Sequence, residues 1–150
     1  YALGLFPRIV DDYVRPGRVK AEFRGFPFLG DDSFKAQRFV LAAGLQNRLW
    51  NLQEGLYRNQ EGENSGWVTD ELLRGLATEI DGLDVDRLFV DAESDETARA
   101  VEDGVAQAEA AGVAGTPTFF IQVGSDEPYA LESGLTAAQL RAALDDALGR

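Results

Sequence analysis

At 150 residues, 45% hydrophobic and 27% charged, the chain fits one soluble globular domain, or a small domain carrying an insertion. Its formal charge of −12 argues against nucleic acid and anionic membrane surfaces as partners, because both reward basic patches. With no Cys and no His, the chain cannot build a Cys/His zinc site, a Ser-His-Asp triad or a Cys-His dyad.

Leu3, Phe6, Val10, Tyr13 and Val14 recur at helical spacing, so the chain opens inside an amphipathic helix, which Pro7 kinks or locally starts. Arg15-Pro16-Gly17 ends it. Val19, Ala21 and Phe23 then alternate with Lys20, Glu22 and Arg24, predicting a half-buried strand over 19–26. Ser33 to Asn59 is rich in apolar residues without a strand signal, consistent with two helices or one bent helix, and 62–66 is a loop by composition. Thr69 caps a helix with Leu72, Leu73, Leu76 and Ile80 on one face, and Leu83 to Phe89 forms another short helix. Ser94 is the expected N-cap of a helix running to Ala111, with Asp95 and Glu96 favourable to its dipole.

Gly112 suits the left-handed position that closes this helix. Phe119 to Val123 is a strand of buried type, 124–128 the turn, and Tyr129 to Glu132 the returning strand. Thr136 and Gln139 form a capping box, and Leu140, Leu144 and Leu148 line the core side of the last helix. The adjacent pairs Asp11-Asp12, Asp31-Asp32 and Asp145-Asp146 point apart on a helix, so they read as solvated surface, not as a metal site. Asp91 to Glu96 lacks the alternating ligands and central Gly of a calcium loop. Trp50, Trp67, Phe119 and Phe120 read as core, and Glu22 as solvent-facing. The longest apolar stretch, Phe39 to Leu45, is far too short to span a bilayer.

The order is helix, strand, helical block, helix, strand, strand, helix. A lone strand at 19–26 and a distant hairpin make a poor sheet. A strand ahead of the opening helix would complete a β-α-β unit, so residues before Tyr1 are expected.

Several segments in this order resemble the DsbA-like thiol-disulfide oxidoreductases, which have a thioredoxin fold with a helical insertion. They are Tyr1-Ala2-Leu3 to Val19, Phe23-Arg24-Gly25-Phe26-Pro27-Phe28, Leu49-Trp50 to Gln60, Glu63-Asn64-Ser65-Gly66, and Gly115-Thr116-Pro117-Thr118-Phe119-Phe120. The last is similar to the family's cis-proline loop. The resemblance implies an α/β thioredoxin-like core over 1–30 and 94–150, an inserted helical subdomain over 31–93, and a first strand and Cys-x-x-Cys expected just before Tyr1. It implies that Gly115, Thr116 and Pro117 bind substrate, with the Thr116 backbone pairing an extended segment. Considered alone, Thr116-Pro117 is an ordinary loop with a trans bond.

Two functions follow. One is an extracytoplasmic thiol-disulfide oxidoreductase acting on cysteines of exported proteins, exchanging electrons with a membrane or soluble redox partner. It would have no cofactor or metal, and an anchor or export signal is expected upstream. The other is a non-catalytic, thioredoxin-like protein-binding module, since the 150 residues hold no nucleophilic thiol.

Overall fold

The computed structural model describes residues 2–131 and 135–149. In chain order the elements are α1 (Leu5–Ile9), a π-helical turn (Val10–Val14), α2 (Asp31–Gly44), α3 (Leu49–Arg58), α4 (Asp70–Thr78), α5 (Val85–Ala92), α6 (Asp95–Ala110), β1 (Phe120–Ile121), β2 (Tyr129–Ala130) and α7 (Ala137–Ala147). Glu132, assigned from sequence to the returning strand, lies outside the described residues. The chain divides into two compact units, Tyr1–Ala21 with Gly112–Arg150, and Glu22–Ala111.

In the first unit, Leu5, Ile9 and Tyr13 pack with Ile121, Leu140 and Leu144, flanked by Val19, Phe119 and Leu131. The buried face of the opening helix is therefore Leu5, Ile9, Tyr13, while Leu3 is exposed and Phe6 and Val10 are half-buried. This corrects the expected face. Four residues overshoot one α-helical turn by about 40°, but the wider π turn, marked by Arg15 N–H donating to the Val10 carbonyl at 2.8 Å, brings Tyr13 back into line. Gly17 (φ 73°) then ends the helix. Thr136 and Gln139 form the full capping box that starts α7. Leu148 caps its end and is exposed, so only Leu140 and Leu144 of the expected face are buried.

The described sheet is the antiparallel pair β1–β2, in register Phe120 with Ala130 and Ile121 with Tyr129. The strand expected over 19–26 is not one: these residues have no regular structure. The alternation survives, with Val19, Ala21 and Phe23 half-buried and Lys20, Glu22 and Arg24 exposed. Side-chain period reflects burial, whereas a strand also needs a neighbour for its ladder.

The second unit is helical. Phe39, Leu52, Leu73 and Leu88 are fully buried, each worth about 1.5–3 kcal/mol of transfer free energy. They form one core with Val40, Leu56, Val68 and Leu83, against which Trp67 and Phe89 pack. Residues 33–59 form two helices, α2 and α3. Thr69, Asp84 and Ser94 cap α4, α5 and α6 through side-chain oxygens accepting from Leu72, Arg87 and Thr97 N–H. Residues 31–93 lie within this unit, together with 22–30 and α6. Gly25 is buried, and a Cβ added there would collide with the Gln37 side-chain amide.

Candidate substrate-binding site

Gly112 follows the end of α6 with φ 69°, the left-handed conformation that only glycine adopts without strain. The chain then enters Gly115-Thr116-Pro117, where the Thr116–Pro117 peptide bond is cis. The Thr118 hydroxyl donates to the Gly115 carbonyl at 2.7 Å, closing the loop on itself. Beyond it, the Leu131 N–H donates to the Phe119 carbonyl at 2.8 Å, and β1 pairs with β2. Ile121 is buried in the core of this unit, so the hairpin holds the loop's C-terminal end in place.

Thr116 and Pro117 are exposed, and Gly115 is half-buried with open space where a Cβ would stand. Among the described residues the Thr116 main chain makes no hydrogen bond. The three residues singled out from sequence are thus consecutive, with exposed Thr116 and Pro117 next to half-buried Gly115, shortly before a strand. Phe120, Val123 and Tyr129 are exposed on the same hairpin, which corrects the reading of Phe120 as core. Phe119 is half-buried against the core of its unit.

Trp50 is also 42% exposed, not core, with its ring edge-on to Phe23 at 5.9 Å. Trp67 is half-buried, as expected. Glu22 is exposed and paired with Arg24 at 3.0 Å. Asp31-Asp32 departs from its expected role. Asp32 is buried, and its carboxylate accepts from the N–H groups of Gly66 (2.8 Å), Trp67 (3.3 Å) and Val68 (3.4 Å). It organises the loop that lines a shallow, open cleft beside Asn59, Glu61 and Trp67. Nothing local in the sequence links position 32 to 66–68. Among the described residues no group of three or more His, Cys, Asp or Glu is arranged to hold a metal ion. Nor is any described helix long and apolar enough to cross a membrane.

A family model described as Thioredoxin matches residues 2–146. The chain belongs to the thioredoxin family. Among thioredoxin-family relatives, two proteins named "Probable disulfide bond formation protein D" are similar to it. The Bacillus anthracis protein is 28% identical over 120 residues, covering 78% of this chain and 55% of its own length. The Bacillus cereus protein is 27% identical over 120 residues, covering 78% and 56%. The chain therefore spans little more than half the length of these curated relatives. Among solved structures, oxidised BdbD from Bacillus subtilis superposes with a TM-score of 0.82 at 21% identity, over 99% of this chain and 79% of that one. A thioredoxin-like oxidoreductase from Silicibacter pomeroyi DSS-3 superposes with a TM-score of 0.71 at 27% identity, over 99% and 78%. The thioredoxin-like fold with a small sheet and much helix, and the likeness to DsbA-type proteins, rest on these matches together.

Proposed function

We propose that this chain is the substrate-docking part of an extracytoplasmic thiol-disulfide oxidoreductase that acts on cysteines of exported proteins. The observation that carries this reading is Thr116, an exposed residue whose main chain makes no hydrogen bond among the described residues, just ahead of β1. An extended substrate segment would bond to that backbone as an added strand, with Gly115 and Pro117 on either side. Relatives named for disulfide bond formation support the reaction class.

The reaction needs two cysteines that residues 1–150 do not contain, and on this reading they lie just before Tyr1, at a helix N-terminus that stabilises a thiolate. A substrate thiolate attacks the enzyme disulfide, forms a mixed disulfide and expels one enzyme thiolate. A second substrate thiolate then releases the oxidised substrate, and the enzyme leaves as a dithiol carrying both electrons. A membrane or soluble redox partner takes those electrons. Such chemistry belongs outside the cytosol.

The absence of a thiol from the 150 residues favours a second reading, a binding module that uses the same loop without catalysis. The intact mass and thiol count of the protein from its native source separate the two. A mass well above 16.3 kDa with two thiols appearing on reduction supports the oxidoreductase. A mass of 16.3 kDa without thiols rules out catalysis by this polypeptide and leaves the binding module.

A further inference from the structure

The negative charge of this protein is concentrated in one unit. Residues 22–111 hold nineteen Asp and Glu against eight Lys and Arg, a net charge of −11 within a total of −12. All eight cations are engaged. Six form ion pairs inside the unit, such as Lys35 with Asp70 and Arg87 with Asp91. The other two, Arg48 and Arg99, donate to main-chain carbonyls. Among the described residues thirteen of the nineteen carboxylates form no ion pair with these cations. Asp32 and Asp84 accept main-chain N–H groups instead, while Glu61, Glu63, Glu102, Asp103 and Glu109 are all exposed.

Two opposed electrostatic effects act on such a surface. Exposed ion pairs are worth about 0–1 kcal/mol each and weaken with salt. Repulsion among the surplus carboxylates destabilises the compact state, and salt relieves it. The screening length falls from about 30 Å at 0.01 M to about 3 Å at 1 M. A 90-residue unit has a radius of gyration of about 12 Å. At low salt every surplus charge therefore feels the others, and at high salt almost none does.

We propose that the Glu22–Ala111 unit is built for high ionic strength: mobile cations, rather than its own Lys and Arg, neutralise its surface, and its folded state strengthens as salt rises. No ion is required at a fixed position.

Trp50 and Trp67 are the only tryptophans of the chain and both lie in this unit, so their fluorescence reports its unfolding within the intact protein. Between 0.01 M and 1 M KCl the thermal midpoint is expected to rise by about 5 °C or more. A midpoint that stays level or falls means that the ion pairs dominate, and overturns the proposal. A variant carrying Glu61→Gln, Glu63→Gln, Glu102→Gln and Glu109→Gln lowers the surplus charge without changing side-chain size. Its midpoint at 0.01 M KCl is expected to lie above that of the parent, and its salt-induced shift to be roughly half. If the variant keeps the full shift, salt acts on apolar burial rather than on repulsion, and the proposal fails.

Discussion

The hydroxyl of Tyr13 donates a 3.1 Å hydrogen bond to the carboxylate of Asp145, 132 residues further along the chain. Arg18 donates to the same carboxylate at 3.4 Å, and its guanidinium lies 4.7 Å from the Tyr13 ring centroid. Arg141 pairs with Asp12 alongside. The opening and closing helices of the first unit are thus joined by a polar cluster above the apolar contacts of Leu5, Ile9, Leu140 and Leu144. Asp12 and Asp145 read from sequence as solvated surface, yet each holds a specific partner.

Burial, followed by the hydrogen bond to Asp145, raises the Tyr13 pKa above its ordinary value of 10.0. The unfolded chain therefore ionises this tyrosine first. The resulting stability is fully present below pH 10 and is lost as pH rises through the higher folded pKa. Tyr13→Phe is expected to cost about 1–2 kcal/mol at pH 8 and to flatten the fall in stability above pH 10. Urea unfolding of both proteins from pH 8 to 11 measures this. Parallel curves would mean that another group carries the alkaline transition.

Asp32 presents a different balance. Its carboxylate is the acceptor for three main-chain N–H groups, those of Gly66, Trp67 and Val68, so Asp32→Ala leaves donors without partners next to the helical core. The expected loss is about 2–4 kcal/mol. Asp32→Asn keeps one carbonyl oxygen to face Gly66 and Trp67 and is expected to lose less than half as much. Amide hydrogen exchange at 66–68, which Asp32→Ala should accelerate, locates the effect. Unchanged exchange there would show that the loop holds itself.

How much of this was legible in the sequence depends on the range of the interaction. The caps at Thr69, Ser94 and Thr136 and the helix stop at Gly112 are settled within four residues, and each stands where the sequence places it. The Gly115-Thr116-Pro117 segment is different: its residues alone predict only a loop with a trans bond, and the cis bond that the structure has is expected from the family resemblance. The strand at 19–26 fails because its alternation encodes a half-buried face, while its ladder depends on a chain segment elsewhere. Asp32 is missed because its three partners lie 34 to 36 residues away. The face of α1 is misread because a 3.6-residue period cannot anticipate a π turn.

Two helical glycines should respond oppositely to the same substitution. In a helix, alanine is favoured over glycine by about 1 kcal/mol. At Gly75 in α4 an added Cβ meets nothing within 4 Å, so Gly75→Ala should stabilise the protein by about 0.5–1 kcal/mol. At Gly104 in α6 the Cβ would sit 3.0 Å from the main-chain carbonyl of Gly25. Gly25 is itself buried, and its carbonyl is main chain rather than a side chain that can swing aside, so Gly104→Ala should yield no gain or a loss of about 1 kcal/mol. Unfolding midpoints of the two variants decide it. A gain at Gly104 equal to that at Gly75 would mean that the Gly25 segment yields freely.

The substrate reading makes a demand on the Thr116 backbone that side-chain substitution cannot isolate, because the contact would be made by the main chain. Altering the peptide does isolate it. A short extended peptide in which Ser replaces the substrate Cys cannot form a disulfide, so any binding to the chain reports docking alone. Added at millimolar concentration, it is expected to shift the amide signals of Gly115, Thr116 and Thr118, which lie along the loop closed by the Thr118 hydroxyl. N-methylation of the peptide residue opposite Thr116 removes a donor and adds bulk at the contact, and should weaken binding about tenfold, equivalent to about 1.4 kcal/mol. If the methylated peptide binds as well as its parent, docking proceeds through side chains, and strand addition at Thr116 is the wrong description. Shifts confined to the Asn59, Glu61 and Trp67 cleft would instead move the recognition surface to the helical unit, away from Gly115, Thr116 and Pro117.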